Sequence, residues 1–109
     1  MPKAQDMPQG ALALLVLRVL QGGALHGYAI AQRIHQLSSD VLQVEEGSLY
    51  PALQKMLLKG WVSAEWGISD TNRKVRVYSL TKLGKKQLAE EVRSYEAVTL
   101  AIQTILREA

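Results

Sequence analysis

Basic side chains are concentrated in one short stretch of the sequence, between Arg73 and Lys86, which contains no acidic residue. Six of the 13 lysines and arginines lie there, whereas the rest of the chain carries more acidic than basic side chains. Guanidinium and ammonium groups gathered on one edge of a protein attract the phosphates of a polyanion. The stretch therefore predicts a surface that faces nucleic acid. Its basic residues are Arg73, Lys74, Arg76, Lys82, Lys85 and Lys86.

The other reactive side chains do not form a catalytic or metal-binding pattern. The chain has no cysteine, which excludes disulfides and thiolate ligands. His26 and His35 have neither the HxxH nor the HExxH spacing, so we predict no metal site and expect His26 to be a structural residue at a helix start. The sequence also shows no nucleophile–base pair, no paired carboxylates and no glycine-rich phosphate loop. We therefore predict that the protein is not an enzyme and holds no cofactor.

The length of 109 residues, of which 48% are hydrophobic, allows one domain followed by a single long helix. We interpret residues 1–9 as an N-terminal arm and expect a disordered tail there, with a DNA contact by Lys3 as the alternative. No signal peptide is visible, and the first apolar run, Ala11–Leu20, is too short to span a bilayer. These features predict a cytoplasmic protein without a membrane partner.

Two helices are predicted in the first third of the chain. Gly10–Gln21 is apolar almost all round, which is typical of a helix covered on most sides by its own domain and by a second subunit; we place Leu15 in that subunit interface. After His26-Gly27-Tyr28, apolar residues at positions i, i+4 and i+7 predict a second helix with one buried face. These residues are Ile30, Ile34 and Leu37.

A third helix is expected to begin at Ser48, which can cap it, and to run to Lys59. Pro51 would then lie in the first turn, where a missing N–H leaves no gap. The spacing predicts a buried stripe of Leu49, Leu53, Met56 and Leu57. The opposite face would carry Ser48, Pro51, Gln54, Lys55 and Lys59, with Tyr50 at its border.

Two β-prone runs, Trp61–Trp66 and Val75–Leu80, flank a stretch rich in turn residues and predict a hairpin with a long basic tip. Both faces of the second strand contain apolar side chains, so its buried face is left open. The two tryptophans, Trp61 and Trp66, are interpreted as packing residues of this hairpin.

A last helix is predicted from Lys82 to Glu108, with Thr81 as its cap. Its apolar positions repeat at alternating spacings of four and three residues, which is the seam of a coiled coil. A helix of this length cannot be covered by a small domain, so we predict a homodimer. The seam residues are Leu88, Val92, Tyr95, Thr99, Ile102 and Leu106.

The order of elements predicts a mostly α fold with a small β hairpin. We interpret residues 10–80 as a winged helix-turn-helix domain that binds DNA, and residues 81–109 as a C-terminal dimerisation helix. In that arrangement Gln54 can pair with adenine and Lys55 with guanine, while the hairpin, or wing, neutralises phosphates. The predicted DNA contacts are Tyr28, Ser48, Tyr50, Pro51, Gln54, Lys55, Arg73, Lys74 and Arg76. The alternative function is a winged-helix module for protein–protein assembly.

Three blocks of the sequence are similar to the signatures of a known family. They are His26-Gly27-Tyr28, then Gly47-Ser48-Leu49-Tyr50-Pro51-Ala52-Leu53, and Tyr78-Ser79-Leu80-Thr81 followed by Gly84; Gly10-Ala11-Leu12 at the first helix also fits. Over residues 9–108 the chain resembles PadR-like transcriptional regulators, in particular the shorter subgroup with one C-terminal helix. The resemblance implies a homodimeric repressor, and two-fold symmetry implies an inverted-repeat operator. The target genes and a small-molecule inducer are left open.

Overall fold

Four helices and a three-stranded antiparallel sheet make up the protein in a computed structural model that describes residues 5–6 and 10–108. The helices are α1 (Ala11–Gln21), α2 (Gly27–Leu37), α3 (Glu46–Leu58) and α4 (Lys82–Glu108). The strands are β1 (Gln5–Asp6), β2 (Leu25–His26), β3 (Leu42–Gln43), β4 (Val62–Ile68) and β5 (Lys74–Leu80). The sheet has the order β2-β5-β4, and β1 pairs with β3 in parallel. The mostly α fold with a hairpin and a long C-terminal helix is confirmed.

The core is built around α1, as its apolar composition predicts. Val16 and Leu17 are completely buried, and they pack with Ile30 of α2 and with Leu49 and Leu53 of α3. Burial of such aliphatic side chains is the main contribution to folding. The double glycine Gly22-Gly23 follows the last turn of α1 and ends the helix.

The sheet resolves which face of the second hairpin strand is buried. In the β4–β5 register, Ala64 lies opposite Tyr78 and Val62 opposite Leu80. Val62 and Tyr78 are buried, so the core receives the face that carries these four side chains. Both strands are longer than predicted and leave only residues 69–73 between them. The tip is therefore short, and Lys74 lies in β5 rather than in a long loop, whereas Arg76 is in the strand as predicted.

The predicted start of α3 is wrong by two residues. The N-cap is Glu45, and Ser48 lies inside the first turn, where its backbone N–H donates to the Glu45 carbonyl at 3.0 Å. Pro51 consequently lies in the second turn instead of the first. A proline there lacks the N–H that would bond four residues back, to the carbonyl of Gly47.

Two further expectations fail nearer the N-terminus. Leu37 does not belong to the buried face of α2, since it sits in the last turn and is 62% exposed. Within the predicted N-terminal arm, Gln5–Asp6 pairs with Leu42–Gln43 and so is not a tail; residues 1–4 and 7–9, including Lys3, lie outside the described residues.

The last helix, α4, has the predicted bounds and the predicted cap. The Thr81 Oγ1 accepts from the backbone N–H of Gly84 at 3.0 Å, and it donates to the Gly60 carbonyl at 2.6 Å. Among the helices that the structure describes, none is long and apolar enough to cross a membrane.

Candidate nucleic-acid interface

Helix α3 turns one face to the core and the opposite face to solvent. Leu49 and Leu53 are completely buried, and their burial fixes the rotation of the helix about its axis. Leu58, 79% exposed, projects from the outer face. The DNA major groove is wide enough to admit an α-helix, so polar side chains on this face can reach the base edges. The four predicted contact residues on this face are all exposed: Ser48, Pro51, Gln54 and Lys55.

Tyr50 lies at the edge of this face, where its ring packs against α2. A methyl group on Gly27 would come within 2.7 Å of the Tyr50 Cε1 atom, so only glycine leaves room for the ring. Burial raises the pKa of the Tyr50 hydroxyl, and the charges of Glu46 and Tyr78 raise it further. The hydroxyl therefore stays protonated at neutral pH and can donate a hydrogen bond to a phosphate oxygen.

The start of α2 lies beside Tyr50. His26 is the N-cap, and its Nδ1 accepts from the backbone N–H of Ala29 at 3.3 Å, which confirms the structural role expected for it. Tyr28 follows in the first turn and is 55% exposed. Backbone N–H groups at a helix start and a nearby hydroxyl form a suitable environment for a phosphate.

A groove of about 750 Å³ separates the start of α2 from the wing, which is the hairpin of β4, β5 and their connection. Its lining includes five of the predicted DNA contacts, whereas Ser48, Gln54 and Lys55 are outside it on the outer face of α3. Among the described residues the three wing cations form no salt bridge, so their charges are available to an anion. The five contacts in the groove are Tyr28, Tyr50, Arg73, Lys74 and Arg76.

Trp66 also lines this groove, although the sequence was interpreted as placing it in the packing of the wing. It is 62% exposed, with the Lys74 Nζ 4.9 Å and the Arg76 Cζ 5.7 Å from its ring centre. The signal that could have found it is the alternation along β4, which puts Trp66 on the core face but beyond the end of the core. Lys82, Lys85 and Lys86, by contrast, are exposed on the first turns of α4, outside the groove.

A sequence model of the transcriptional regulator PadR-like family matches residues 16–90, which is more than half of the chain. The chain belongs to the PadR-like family. The family consists of transcriptional regulators, so the expectation that the protein is not an enzyme is confirmed.

Individual proteins are similar over much of the chain. The negative transcriptional regulator PadR of Bacillus subtilis is 27% identical over 77 residues, which cover 71% of this chain and 42% of that protein. A transcriptional regulator from Clostridium thermocellum has a TM-score of 0.80 at 22% identity, covering 88% of this chain and 93% of its own. A PadR-like transcriptional regulator from Bacillus cereus has a TM-score of 0.76 at 24% identity, covering 93% and 96%. Both solved structures share the fold.

The predicted dimer residues of this PadR-like chain fall into two groups. Leu88 is 4% exposed and Val92 packs beside it against the core, so both are largely covered by their own chain. Leu88 in particular has little surface left for a partner subunit. The remaining residues have surface available to a partner subunit. Leu15 and Thr99 are half-buried, and Tyr95, Ile102 and Leu106 are 48%, 52% and 75% exposed.

Proposed function

We propose that this PadR-like regulator is a sequence-specific repressor that binds an inverted-repeat DNA operator as a homodimer. One observation carries the proposal: the exposed polar face of α3 lies beside the groove that Arg73, Lys74 and Arg76 line, and within the described residues these cations form no salt bridge. Residues 10–80 act as the DNA-binding domain and residues 81–109 as the dimerisation helix. Because its target is chromosomal DNA, the protein acts in the cytoplasm.

Sequence readout is assigned to the outer face of α3. Gln54 has an amide that can donate and accept at once, which suits the adenine edge in the major groove. Lys55 can donate to guanine or to a phosphate. Both side chains are exposed and lie beyond the buried Leu53, whose position holds them outward.

General affinity is assigned to the groove between α2 and the wing. Arg73, Lys74 and Arg76 have no acidic partner within the described part of the chain, and phosphates would release counterions on binding them. Tyr28 and Tyr50 supply hydroxyl donors on the opposite wall. These contacts position the duplex and carry no sequence information themselves.

Dimerisation is assigned to the second half of α4 and to the outer side of α1. From Arg93 onward, Thr99 is the one described residue of α4 that is not exposed, which leaves Ile102 and Leu106 in water in a single chain. A second groove, of about 800 Å³, contains Leu15 and has Arg18 and Arg33 among its lining residues. The negative end of a partner's α4 complements these arginines.

Repression is supported by the similarity to the negative transcriptional regulator PadR of Bacillus subtilis. A dimer that occupies its operator would block access of other proteins to the same duplex.

The proposal is tested by genome-wide mapping of DNA bound by the tagged protein, followed by titration of the recovered fragments with purified protein. We expect a small set of sites that share an inverted repeat, including one near the regulator's own promoter. Reporter expression from such a site should rise when the gene is deleted. If the purified protein binds no duplex even at low salt, the result favours the alternative function, a protein–protein assembly module.

A further inference from the structure

Trp66 is a side chain of the wing to which the proposed function assigns no role. It lies directly opposite Arg76 in the β4–β5 register, and Lys74 is on the same strand two residues earlier. Isolated exposed apolar side chains are common on protein surfaces, so its exposure alone indicates nothing. The unusual feature is that both cations lie within about 6 Å of one ring centre, which is the range of a cation–π interaction.

The direction of the ring is set by the alternation of the strand. Ala64 and Trp66 share one face of β4, and Ala64 lies opposite the buried Tyr78. Trp66 therefore continues the core-facing side of the hairpin past the edge of the core. There it overhangs the groove between the wing and α2, together with both cations.

We propose that Trp66 is a DNA-interface residue whose indole ring orients Lys74 and Arg76 toward the phosphates of one duplex strand. This inference rests on the proposed function. Long basic side chains lose rotamer entropy when they are fixed on a phosphate, and prior contact with a ring reduces that loss. Two cations held close together also repel each other, and the negative face of the indole offsets this repulsion. The affinity of the wing then depends on an uncharged ring as well as on its charges.

Trp61 provides a comparison within the same chain. The Lys59 Nζ lies 4.6 Å from its ring centre, so the pairing of a tryptophan with a cation is the same. Trp61, however, is half-buried, packs against the core and does not line the groove. It should therefore not respond to DNA.

The first experiment makes Trp66 the sole tryptophan by the substitution Trp61→Phe and follows its fluorescence during titration with cognate duplex. We expect the emission to change with the same midpoint as fluorescence anisotropy of labelled DNA, and quenching by acrylamide to fall about 2-fold or more as the ring is covered. The reciprocal variant, Trp66→Phe with Trp61 retained, should show little change in emission.

The second experiment measures affinity at fixed salt, first in two Trp66 variants that keep the net charge and then in combination with Lys74→Ala. Trp66→Ala should weaken duplex binding about 5- to 20-fold, because the ring no longer holds two cations in position for the phosphates, and Trp66→Phe should stay within about 3-fold of the unmodified protein. In the Trp66→Ala background, Lys74→Ala should cost a smaller factor than it does alone, which a ring with a purely structural role would not produce.

The outcomes separate the two proposals. If the unmodified protein binds no duplex, the proposed function fails and this inference fails with it. If the unmodified protein binds, but Trp66→Ala binds equally well and Trp66 fluorescence is unchanged by DNA, the role of Trp66 is refuted while the proposed function stands.

Discussion

At the scale of single residues, Gln54 is the side chain to which we assign most of the proposed sequence discrimination. It is exposed on the outer face of α3, and its amide can make a bidentate contact to adenine. We expect Gln54→Ala to cost about 1–3 kcal/mol at the cognate operator and little at random DNA, because only a base contact is lost. Competition titrations with cognate and scrambled duplexes measure both affinities.

Lys55 serves as the contrast for that measurement. Its ammonium group can reach guanine or a phosphate, so Lys55→Ala should weaken binding to both duplexes. If neither variant changes the ratio of the two affinities, α3 does not read sequence. Specificity would then have to come from DNA shape.

Lys74 is expected to act on every sequence alike. It is exposed on the wing, without an ionic partner among the described residues, and a phosphate contact would release one counterion. Lys74→Ala should therefore weaken binding to cognate and random DNA about equally and lower the slope of log K against log salt by about one unit. An unchanged slope would remove the wing from the interface.

A substitution at Tyr50 can distinguish a hydroxyl contact to DNA from the packing of the ring. In Tyr50→Phe the ring still fills the space beside Gly27, so the stability of the fold should not change. The hydroxyl contact is lost, and DNA affinity should fall by about 0.5–1.5 kcal/mol. Thermal unfolding of the variant is the control; a fold as stable as the unmodified one with unaltered affinity would show that the hydroxyl is not a DNA contact.

At the scale of elements, a close joint connects the wing to α4. The Trp61 carbonyl, at the start of the hairpin, accepts from the Thr81 hydroxyl at 3.0 Å and from the Thr81 backbone N–H at 3.1 Å. Gly84 is buried against the same carbonyl, and a Cβ on it would lie 2.0 Å from that oxygen. The joint fixes the direction in which α4 leaves the domain, and with it the separation of the two DNA-binding faces in the proposed dimer.

We expect Gly84→Ala to destabilise the protein by about 1–3 kcal/mol, because the added methyl group must displace backbone rather than a flexible side chain. Urea unfolding at fixed protein concentration measures the change. Gly47→Ala is the matched control: it is also helical, a methyl group there meets nothing within 4 Å, and alanine should stabilise that helix by about 0.5–1 kcal/mol. Equal effects of the two substitutions would show that the joint is not tight.

At the scale of the whole molecule, α4 extends well beyond the domain from which it starts. The molecule is 54 Å long, although its core is a small three-helix unit with a sheet. The first half of α4 packs against α1 through Leu88 and Val92, whereas the second half is almost entirely exposed in the single chain. A stripe of apolar side chains left in water at this length calls for a partner helix.

Ile102→Glu should convert the proposed homodimer to monomer or aggregate, because it places a charge in the apolar seam between the two α4 helices. Ala97→Glu is the control, since Ala97 is exposed on the side of α4 opposite the seam and should leave the dimer intact. Light scattering at micromolar concentration gives both masses. A monomeric unmodified protein would show that the proposed dimer is wrong.

The sequence alone determined the elements whose signals are local. The apolar composition of α1, the heptad spacing of α4, the turn residues between β4 and β5 and the outward set of α3 are all composition or spacing within one segment, which can be read without the rest of the fold. The residues of the three family blocks are likewise readable without coordinates.

Tertiary structure decided whatever depends on two distant segments meeting. The contact of Gly27 with Tyr50 and of Gly84 with Trp61 explains why glycine stands at each position, and no local pattern indicates it. The same holds for the burial of Leu88 in its own core and for the two cations on Trp66. The N-cap of α3 is Glu45, whose side chain makes no capping hydrogen bond, so the capping residue types in the sequence did not indicate this helix start. The tendency of a segment to form a helix or a strand depends on the residues of that segment. Packing depends on pairs of residues that are distant in the sequence, and only the folded molecule brings these pairs together.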